Sequence, residues 1–417
     1  MARICLISPG QIGSNPRIVK EAQLLHDAGH DVQVIATKVA DFVEPRDQAI
    51  MAKASYKITR VNFQNKLTWR LARLRQQFSA FCAKHLGMAS ARDFAHSPMT
   101  GKLVAKAQSV PADLYVAHYV AALPAAARAA KKHDAIFAFD GEDFHPGDLP
   151  DVSAFEEARD LIKDIEGRYL PSCAYVTSAA PGISDAYAEA YQIERPTTVL
   201  NVFPLSEATG TVTDRGNASP GPSIYWFSQT VGPNRGLECA IKALAICKTK
   251  PHLYLRGTPS ANYPNMLRLL ASDLGVTKQL HFLPPGPPAK MVELASAYDI
   301  GLVGETGETH NRRIALTNKQ FTYFLAGVPA LMSDVDAHKT FAERAEGAVE
   351  LYTVEDPKSC AAAIDYLLED TDTLSRARRT AFELAQTKFN WDAEKEILLR
   401  CVNTALDNRS NSMGAAT

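Results

Sequence analysis

Short apolar runs alternate with amphipathic stretches along most of the chain, which predicts alternating strands and helices. An apolar run at residues 4–8 is followed by a loop rich in glycine and proline. A helix is then predicted over residues 17–28, where apolar side chains recur every three or four positions. Asn15 before Pro16 is typical of a helix start, because asparagine accepts a backbone hydrogen bond and proline suits the first helical position. A strand at residues 32–36 completes a βαβ unit, which predicts a parallel sheet covered by helices.

The same alternation occurs in two halves of the chain, with a segment between them that has no apolar periodicity. Glycine, serine, threonine and proline dominate this segment, which is typical of a linker. We therefore predict an α/β protein with two doubly wound, Rossmann-like domains that face each other across a cleft. The predicted boundaries are 1–205 for the N-terminal domain, 206–222 for the linker, 223–390 for the C-terminal domain, 391–407 for a last helix and 408–417 for a disordered tail.

Composition narrows the classes of protein that fit this pattern. The 417 residues include 45 basic and 46 acidic side chains, a net charge of −1, which argues against bulk attraction to nucleic acid. Seven dispersed cysteines without a CxxC pair indicate reduced thiols and a cytoplasmic location, not a disulfide framework or zinc ribbon. Neither a signal peptide nor a bilayer-spanning segment is expected, because no stretch approaches the apolar length that spanning requires.

The balanced total charge conceals a polarised first half. Residues 48–92 contain nine lysines and arginines and no acidic residue, whereas residues 140–166 contain ten acidic and two basic side chains. Within the basic stretch an apolar stripe at helical spacing lies beside Arg70, Arg73, Arg75 and Lys84. The stripe consists of Leu67, Leu71, Leu74, Phe78 and Phe81. This pattern predicts an amphipathic helix that either binds an anionic membrane surface or packs its stripe on the domain core.

Three segments each combine a strand end, a polar loop and the start of a helix. They are residues 10–17, residues 228–237 and residues 301–334. Helix N-termini at the carboxyl ends of parallel strands attract anions, and Gly13 in the first loop permits close backbone approach. Arg235 in the second loop can pair with a diphosphate, and Thr317 or Asn318 can cap the helix of the third. A bound diphosphate is one interpretation; a tight turn, a solvent-facing arginine and a plain helix cap are the alternatives.

Five stretches together resemble the retaining, nucleotide-sugar-dependent glycosyltransferases of family 4. They are residues 15–36 (NPRIVKEAQLLHDAGHDVQVIA), 198–204 (TVLNVFP), 232–237 (GPNRGL), 291–302 (MVELASAYDIGL) and 318–334 (NKQFTYFLAGVPALMSD). The resemblance implies the glycosyltransferase B fold, with two Rossmann-like domains and a C-terminal helix that returns to the first domain. It implies retaining transfer of a sugar from a nucleotide-diphosphate donor to a glycan or lipid-linked acceptor in the synthesis of a cell-surface glycoconjugate. Neither a metal nor another cofactor is expected.

The resemblance assigns the donor mainly to the C-terminal domain, where this sequence also departs from the family. The glutamate pair of the family falls on Ile314 and Thr322, so both carboxylates are missing. Thr322 can still hydrogen-bond a ribose, and Glu305 or Glu308 can replace the sugar contact. The phosphate-binding arginine of the family corresponds to a neutral residue, Gln229 or Thr230, and its lysine corresponds to Arg235, with Lys319 or Arg313 as compensation. The predicted donor-binding residues are Gly13, Gln229, Arg235, Gly257, Glu305, Asn318, Lys319 and Thr322.

In the N-terminal domain the resemblance points to His118, which would contact the transferred sugar as a neutral imidazole. Asp140 and Glu142 open the densest titratable cluster of the chain, DGEDFH, and one of them could position the acceptor hydroxyl or accept its proton. We predict catalytic roles for these three residues and an acceptor or membrane contact for the four basic residues beside the apolar stripe. A satisfied buried histidine and a plain acidic loop are the alternatives.

Two other functions remain open from the sequence. The missing glutamate pair is compatible with a non-catalytic relative that binds a nucleotide or a glycan. A nucleotide-sugar epimerase of the same fold would need catalytic carboxylates around Asp140 or Glu142. For the glycosyltransferase, the expected location is the cytoplasm, with peripheral attachment to the inner face of the cell membrane if the basic amphipathic helix binds lipid.

Overall fold

The computed structural model describes residues 1–208 and 219–415, with backbone alone for residues 412–415. The chain forms two compact units, one made of Met1–Val199 with Lys395–Thr417 and the other of Leu200–Glu394. Most of the predicted linker, residues 209–218, lies outside the described residues. Among the helices in the described ranges, none is both long and apolar enough to cross a bilayer.

The first unit contains a parallel sheet of seven strands. They are β1 (Arg3–Ile7), β2 (Asp31–Lys38), β3 (Lys57–Asn62), β4 (Leu114–His118), β5 (Ile136–Gly141), β6 (Val176–Ser178) and β7 (Thr197–Thr198). Their order in the sheet is β3-β2-β1-β4-β5-β6-β7. The order changes direction between β1 and β4, and ligands of doubly wound folds bind beyond the carboxyl ends of the strands at such a point.

Eight helices within Met1–Val199 connect or cover these strands. They are α1 (Pro16–Asp27), α2 (Glu44–Lys53), α3 (Lys66–His85), α4 (Ala89–Ala95), α5 (Thr100–Ala107), α6 (Leu123–His133), α7 (Glu156–Tyr169) and α8 (Pro181–Tyr191). The start of α1 is as predicted, because Asn15 accepts the N–H of Ile18 and Pro16 occupies the first helical position. The strand β1 is buried along most of its length, as expected for a parallel strand covered on both faces.

The second unit contains a parallel sheet of six strands. They are β8 (Ser223–Val231), β9 (His252–Pro259), β10 (Leu280–Leu283), β11 (Ile300–Val303), β12 (Ala330–Ser333) and β13 (Val349–Tyr352), in the sheet order β10-β9-β8-β11-β12-β13. Its helices are α9 (Leu237–Ile246), α10 (Tyr263–Asp273), α11 (Met291–Ser296), α12 (His310–Ile314), α13 (Lys319–Leu325), α14 (Asp336–Arg344), α15 (Pro357–Leu368) and α16 (Thr371–Thr387). Here the order changes direction between β8 and β11. The predicted fold class, two doubly wound parallel-sheet domains, is confirmed.

The last helix is longer than the sequence predicts. It is α17 (Trp391–Ala415), and it passes from the second unit to the first at Lys395. Arg409 anchors its polar end, because one guanidinium nitrogen donates to the carbonyl oxygen of Asp134 at 2.7 Å and the other lies 3.3 Å from Oδ1 of Asp113. The prediction that the helix ends at Asp407 and that a disordered tail follows was therefore wrong through Ala415.

Candidate functional site

Two loops of the second unit meet at a pair of glycines. Gly236, in the loop after β8, has a φ of +65°, and a Cβ there would overlap the carbonyl group of Gly304 in the loop after β11. A Cβ on Gly304 would in turn lie 2.8 Å from the carbonyl oxygen of Arg235. Only glycine permits this approach of one backbone to the other. The contact brings Arg235 and Glu305, the residues next to the glycines, within reach of each other.

Glu305 lies among three cations. Its Oε2 is 3.0 Å from Nη1 of Arg235 and 3.7 Å from Nη1 of Arg312, and its Oε1 is 3.1 Å from Nζ of Lys319. Burial raises the pKa of Glu305, but the three cations outweigh burial and lower this pKa to about 2. The carboxylate is therefore ionised at neutral pH, and the cluster keeps an excess of positive charge. We call these four residues the Glu305 cluster; such a group at the carboxyl ends of parallel strands suits a diphosphate.

Lys319 is the most enclosed cation of the Glu305 cluster. Its side chain is 10% exposed, and its Nζ lies 5.8 Å from the centre of the Trp226 ring. Burial lowers the pKa of Lys319, and Glu305 only partly offsets this effect. Arg235, Glu305 and Lys319 were predicted from the sequence as donor-binding residues, and the structure brings them together. Arg312 was not predicted as a donor-binding residue. It lies in the first turn of α12, where its N–H donates to the side chain of the capping residue Thr309.

Gln229 and Gly257 were also predicted as donor-binding residues. Among the described residues, however, neither belongs to the group of side chains that pair with Glu305. The polar loop within residues 228–237 is shorter than expected, because β8 continues to Val231 and includes Gln229 as an exposed strand residue. Gly257 lies in β9 with a φ of +156°, and a Cβ there would be 2.6 Å from the carbonyl oxygen of Ser228. The glycine thus makes room for the irregularity between Phe227 and Thr230 in β8.

Asn318 and Thr322 serve the backbone of α13 in this structure. The hydroxyl of Thr322 donates to the carbonyl oxygen of Asn318 at 3.2 Å, and the Thr322 residue is buried. Asn318 occupies the N-cap position without a side-chain capping bond, so the predicted cap is absent there. Ile314, the other position of the missing glutamate pair, is the last residue of α12 and is buried. In this structure the hydroxyl proton of Thr322 is therefore used within the helix.

Gly13, in the first unit, also has a different role from the predicted one. Its N–H donates to Oδ1 of Asp47 on α2 at 2.8 Å, and a Cβ on Gly13 would lie 2.8 Å from the Cβ of Arg46. Asp47 is fully buried and also accepts from Gln11 at 3.0 Å. The glycine therefore allows the loop to pack on α2, and its N–H is not free for a phosphate.

A buried ion cluster lies where β4 and β5 end. Arg17 holds Asp140 with two hydrogen bonds, Nε to Oδ2 at 2.6 Å and Nη2 to Oδ1 at 2.8 Å. His118 lies between two carboxylates, with Nδ1 3.2 Å from Asp140 and Nε2 2.9 Å from Glu21. Thr177 donates a further hydrogen bond to Asp140 at 2.7 Å. His118 and Asp140 thus pair with each other within the core of the unit.

The charges of this ion cluster differ from those expected. Burial lowers the pKa of His118, but Glu21 and Asp140 outweigh burial and raise this pKa to about 9. Burial raises the pKa of Asp140, but Arg17 and His118 hold it well below its usual range. His118 is therefore an imidazolium at neutral pH, not the neutral ring that was predicted, and Asp140 is a paired anion with no free lone pair facing solvent.

We expect the protonated His118 to make the stability of the protein dependent on pH. The pKa of His118 in the folded protein, about 9, exceeds the ordinary value of 6.5. Its contribution to the free energy of unfolding is therefore fully present below pH 6.5 and is lost as the pH rises through 9. That contribution is roughly 3 kcal/mol. Thermal unfolding between these pH values should show a decline in the wild type that is much smaller in His118→Gln. The variant His133→Gln, at a surface helix end, is the control, and equal slopes in wild type and His118→Gln would contradict the assignment.

A second titratable cluster lies next to the ion cluster. Tyr119 follows His118 with φ 65° and ψ 154°, and its hydroxyl donates to Oε2 of Glu142 at 2.9 Å. His145, just beyond β5, has its Nδ1 2.9 Å from Oε1 of Glu166 and 2.7 Å from the hydroxyl of Tyr187. Burial is the main cause that raises the pKa of Glu142. We call these five residues the His145 cluster.

The sequence pointed to this region only through its acidic run. Tyr119, Glu166 and Tyr187 were missed, because they are distant in sequence from His145 or carry no recognisable motif. His145 was included only as the last residue of the run DGEDFH, without a role of its own. Within the described ranges, no group of three or more histidine, cysteine, aspartate or glutamate side chains is arranged to hold a metal ion.

The apolar stripe of α3 faces solvent. Its five large side chains, from Leu67 to Phe81, are each between 55% and 69% exposed. The buried positions of α3 are instead the small residues Ala72, Ser79 and Cys82. Packing of the stripe on the domain core, one of the two alternatives, is therefore wrong for this structure.

The predicted basic residues accompany this exposed face. Arg70, Arg73 and Arg75 are exposed, and the Arg75 guanidinium also lies 4.4 Å from the centre of the Phe94 ring. Lys84 pairs with Glu157 at 2.9 Å, with both side chains mostly exposed. The exposed apolar stripe and these cations together are called the α3 face below.

Comparison with known proteins identifies relatives in sequence. No family model matches the chain. A D-inositol 3-phosphate glycosyltransferase of Thermobispora bispora is 24% identical over 282 residues, which cover 64% of this chain and 64% of that protein. The protein of the same name from Corynebacterium glutamicum is 30% identical over 194 residues, covering 45% of this chain and 44% of the relative. The matches therefore span less than two-thirds of the length of these relatives.

Solved structures share the whole architecture. Anabaena HepE in complex with UDP-glucose superposes with a TM-score of 0.70 at 15% identity, covering 97% of this chain and 100% of that one. Sucrose-phosphate synthase of Thermosynechococcus elongatus superposes with a TM-score of 0.66 at 16% identity over the full length of both chains. At such identities the likeness shows the fold. The chain thus has the glycosyltransferase B fold and has glycosyltransferases as its relatives in sequence, which confirms the resemblance found in the sequence.

Proposed function

We propose that this protein is a glycosyltransferase that uses a nucleotide-diphosphate sugar as donor. The observation that carries the proposal is the Glu305 cluster, in which Arg235, Arg312 and Lys319 surround one carboxylate at the carboxyl ends of β8 and β11. The similar Anabaena structure contains UDP-glucose, a ligand of this class. The relatives named as inositol phosphate glycosyltransferases support the same reaction type.

The chemistry of the proposed reaction fits a cationic site. The bond between the anomeric carbon and the β-phosphate oxygen breaks, and negative charge develops on the diphosphate. Cations that are already in position stabilise this charge without reorganisation, which lowers the barrier. Glu305 holds the three cations in place before the donor binds. The oxygen of an acceptor hydroxyl forms the new bond to the anomeric carbon, and the hydroxyl proton passes to the departing diphosphate oxygen, with retention of configuration as the resemblance implies.

The missing glutamate pair motivates a second candidate, a non-catalytic relative that binds nucleotide or glycan. Ile314 and Thr322, which occupy the positions of those glutamates, are both buried. Neither side chain can take over the role of a glutamate carboxylate. An epimerase is less well supported by the geometry, because Asp140 is paired with Arg17 and His118 inside the buried ion cluster.

One screen separates these functions. UDP-, GDP-, ADP- and dTDP-glucose are tested for binding by thermal shift, and then for release of the nucleoside diphosphate with inositol 3-phosphate or a bacterial membrane lipid extract as acceptor. Acceptor-dependent release and a glycosylated product would support the transferase. Binding without release supports the non-catalytic relative, and an isomerised donor formed without acceptor supports the epimerase.

We further propose a lipid-linked acceptor at the inner face of the cell membrane, with the protein attached peripherally from the cytoplasm. The support is the α3 face, whose apolar stripe is flanked by exposed cations that complement an anionic lipid surface. Phe42, which is 85% exposed, follows the carboxyl end of β2, and α3 follows that of β3. Phe42 and the start of α3 therefore lie on the same edge of the sheet as the buried ion cluster and the His145 cluster.

The α3 face makes this attachment testable. We expect the triple variant Leu71→Ser, Leu74→Ser, Phe78→Ser to bind vesicles of phosphatidylcholine with phosphatidylglycerol at least about tenfold more weakly, because burial of each large apolar side chain contributes about 1.5–3 kcal/mol. Vesicle co-sedimentation at low salt measures the effect. The double variant Met266→Ser, Leu269→Ser removes similarly exposed apolar side chains from α10 and is the control. Unchanged binding of the triple variant, or no binding by the wild type, would exclude the α3 face as a membrane contact.

A further inference from the structure

The His145 cluster plays no part in the proposed donor site. Its five members, Tyr119, Glu142, His145, Glu166 and Tyr187, lie in the first unit at or beyond the ends of β4 and β5 or on α7 and α8. The donor cations all belong to the second unit. A transferase also needs groups that bind the acceptor, and the His145 cluster has the properties of such a site.

His145 is held rigidly at one of its two ring nitrogens. Its Nδ1 lies 2.9 Å from Oε1 of Glu166, a fully buried residue. The hydroxyl of Tyr191 donates to Oε2 of Glu166 at 2.6 Å, and the hydroxyl of Tyr187 lies 3.0 Å from Oε1. The carboxylate therefore cannot rotate away, and it fixes the direction of the imidazole ring. A carboxylate that orients a histidine in this manner is common where the other ring nitrogen has a function.

The other ring nitrogen, Nε2, has no hydrogen-bond partner. It is buried, and in the part of the chain that the structure describes no protein group forms a hydrogen bond with it. A buried polar atom without a partner costs free energy, and a hydroxyl group of a ligand would supply the missing bond. The His145 side chain as a whole keeps 13% of its surface exposed, whereas Nε2 itself is buried.

The backbone of Tyr119 provides a second, independent indication. Its φ of 65° and ψ of 154° lie in a region that residues with a Cβ rarely adopt. The strained conformation points the ring toward two partners: the hydroxyl donates to Glu142 at 2.9 Å, and the ring packs edge-on against that of His145 at 5.9 Å. Such strain is concentrated at functional sites, where it holds a side chain that the reaction needs.

We propose that His145 is an acceptor-binding residue whose Nε2 forms a hydrogen bond with a hydroxyl group of the acceptor, and that Glu166 is its positioning residue. This assignment rests on the proposed glycosyltransferase function and specifies the acceptor side of it. The recognised chemistry is a sugar or cyclitol hydroxyl near the carboxyl ends of β4 and β5, where ligands of doubly wound sheets bind.

Two amide variants separate a binding role from a structural one. His145→Asn places an amide where Nδ1 was and keeps the link to Glu166, but it has no atom at the Nε2 position. His145→Gln reaches the Nε2 position. His133→Asn is the matched control at the end of α6, where the ring contacts the carbonyl oxygen of Gln108. Acceptor KM is measured at saturating UDP-glucose with inositol 3-phosphate or the lipid extract, and UDP affinity is measured by calorimetry.

We expect His145→Asn to raise the acceptor KM about tenfold with UDP affinity unchanged, and His145→Gln to recover part of the loss. Glu166→Gln should also raise the acceptor KM, by a smaller factor, with kcat changed less than KM. An unchanged acceptor KM in His145→Asn would overturn this assignment alone, and so would equal losses in both amide variants with a lowered unfolding midpoint. Wild-type protein that binds UDP-glucose but transfers sugar to no acceptor would overturn both this assignment and the proposed function.

Discussion

Arg235→Ala is expected to weaken UDP binding by about 10- to 100-fold. Charge-assisted hydrogen bonds contribute about 1.5–3 kcal/mol, and each 1.4 kcal/mol is a factor of ten in affinity. Arg235 and Arg312 are the partly exposed cations of the Glu305 cluster, so Arg235 can reach a bound diphosphate, and its loss leaves Glu305 paired with Lys319 and Arg312. The folded state should survive for the same reason. Calorimetric titration with UDP measures the affinity, and thermal unfolding checks the fold.

A matched control removes the same charge elsewhere in the second unit. Arg268 on α10 is exposed and contacts Asn265, so Arg268→Ala should leave UDP affinity unchanged. The loss in Arg235→Ala should also shrink as salt is added, because screening weakens the contribution that the variant lacks. Equal losses in the two variants would show that bulk charge, not the Glu305 cluster, attracts the nucleotide.

Asp140→Ala is expected to lower the unfolding midpoint by roughly 10 °C. Removing one partner of a buried ion pair leaves an uncompensated charge and costs about 3–5 kcal/mol, and each kcal/mol shifts the midpoint of a domain of 150–250 residues by about 2–4 °C. Here the variant would leave both Arg17 and His118 without their shared carboxylate. Differential scanning calorimetry at neutral pH measures the shift.

The control for this variant breaks an exposed ion pair in the same unit. Asp185 pairs with Arg195, and both side chains are about half exposed or more. Exposed pairs contribute about 0–1 kcal/mol, so Asp185→Ala should shift the midpoint by at most a few degrees. If Asp140→Ala is no less stable than Asp185→Ala, the buried cluster does not stabilise the first unit, and a direct role of Asp140 in catalysis regains support.

The elements of the fold with clear local signals were predicted from the sequence. Asn15 and Pro16 mark the start of α1 through one side-chain hydrogen bond and one fixed dihedral angle, both of which act locally. Elements with weak signals were missed. The edge strand β3 mixes polar and apolar residues that are mostly half-buried, so it lacks the apolar run of a central parallel strand. The helical spacing on α3 revealed its apolar face but not whether another element covers that face.

The candidate sites were predictable only where one loop contains the relevant residues. Glu305 and Lys319 are 14 residues apart and were both singled out from the same segment. The charge state of His118 depends on Glu21 and Asp140, and Glu21 lies about a hundred residues away in sequence. No spacing rule connects such residues, because the parallel crossovers that bring them together have variable length. Burial and remote partners, and not residue type, therefore decided which predicted groups can react.

The contact between Gly236 and Gly304 limits how the proposed donor site can diverge. A side chain at either position would drive the two loops apart and separate Arg235 from Glu305. Arg235 and Arg312 have partly exposed side chains, whereas a Cβ at either glycine would overlap the backbone of the facing loop. Homologues that have acquired a different donor should therefore differ in the groups around the anion and still keep both glycines.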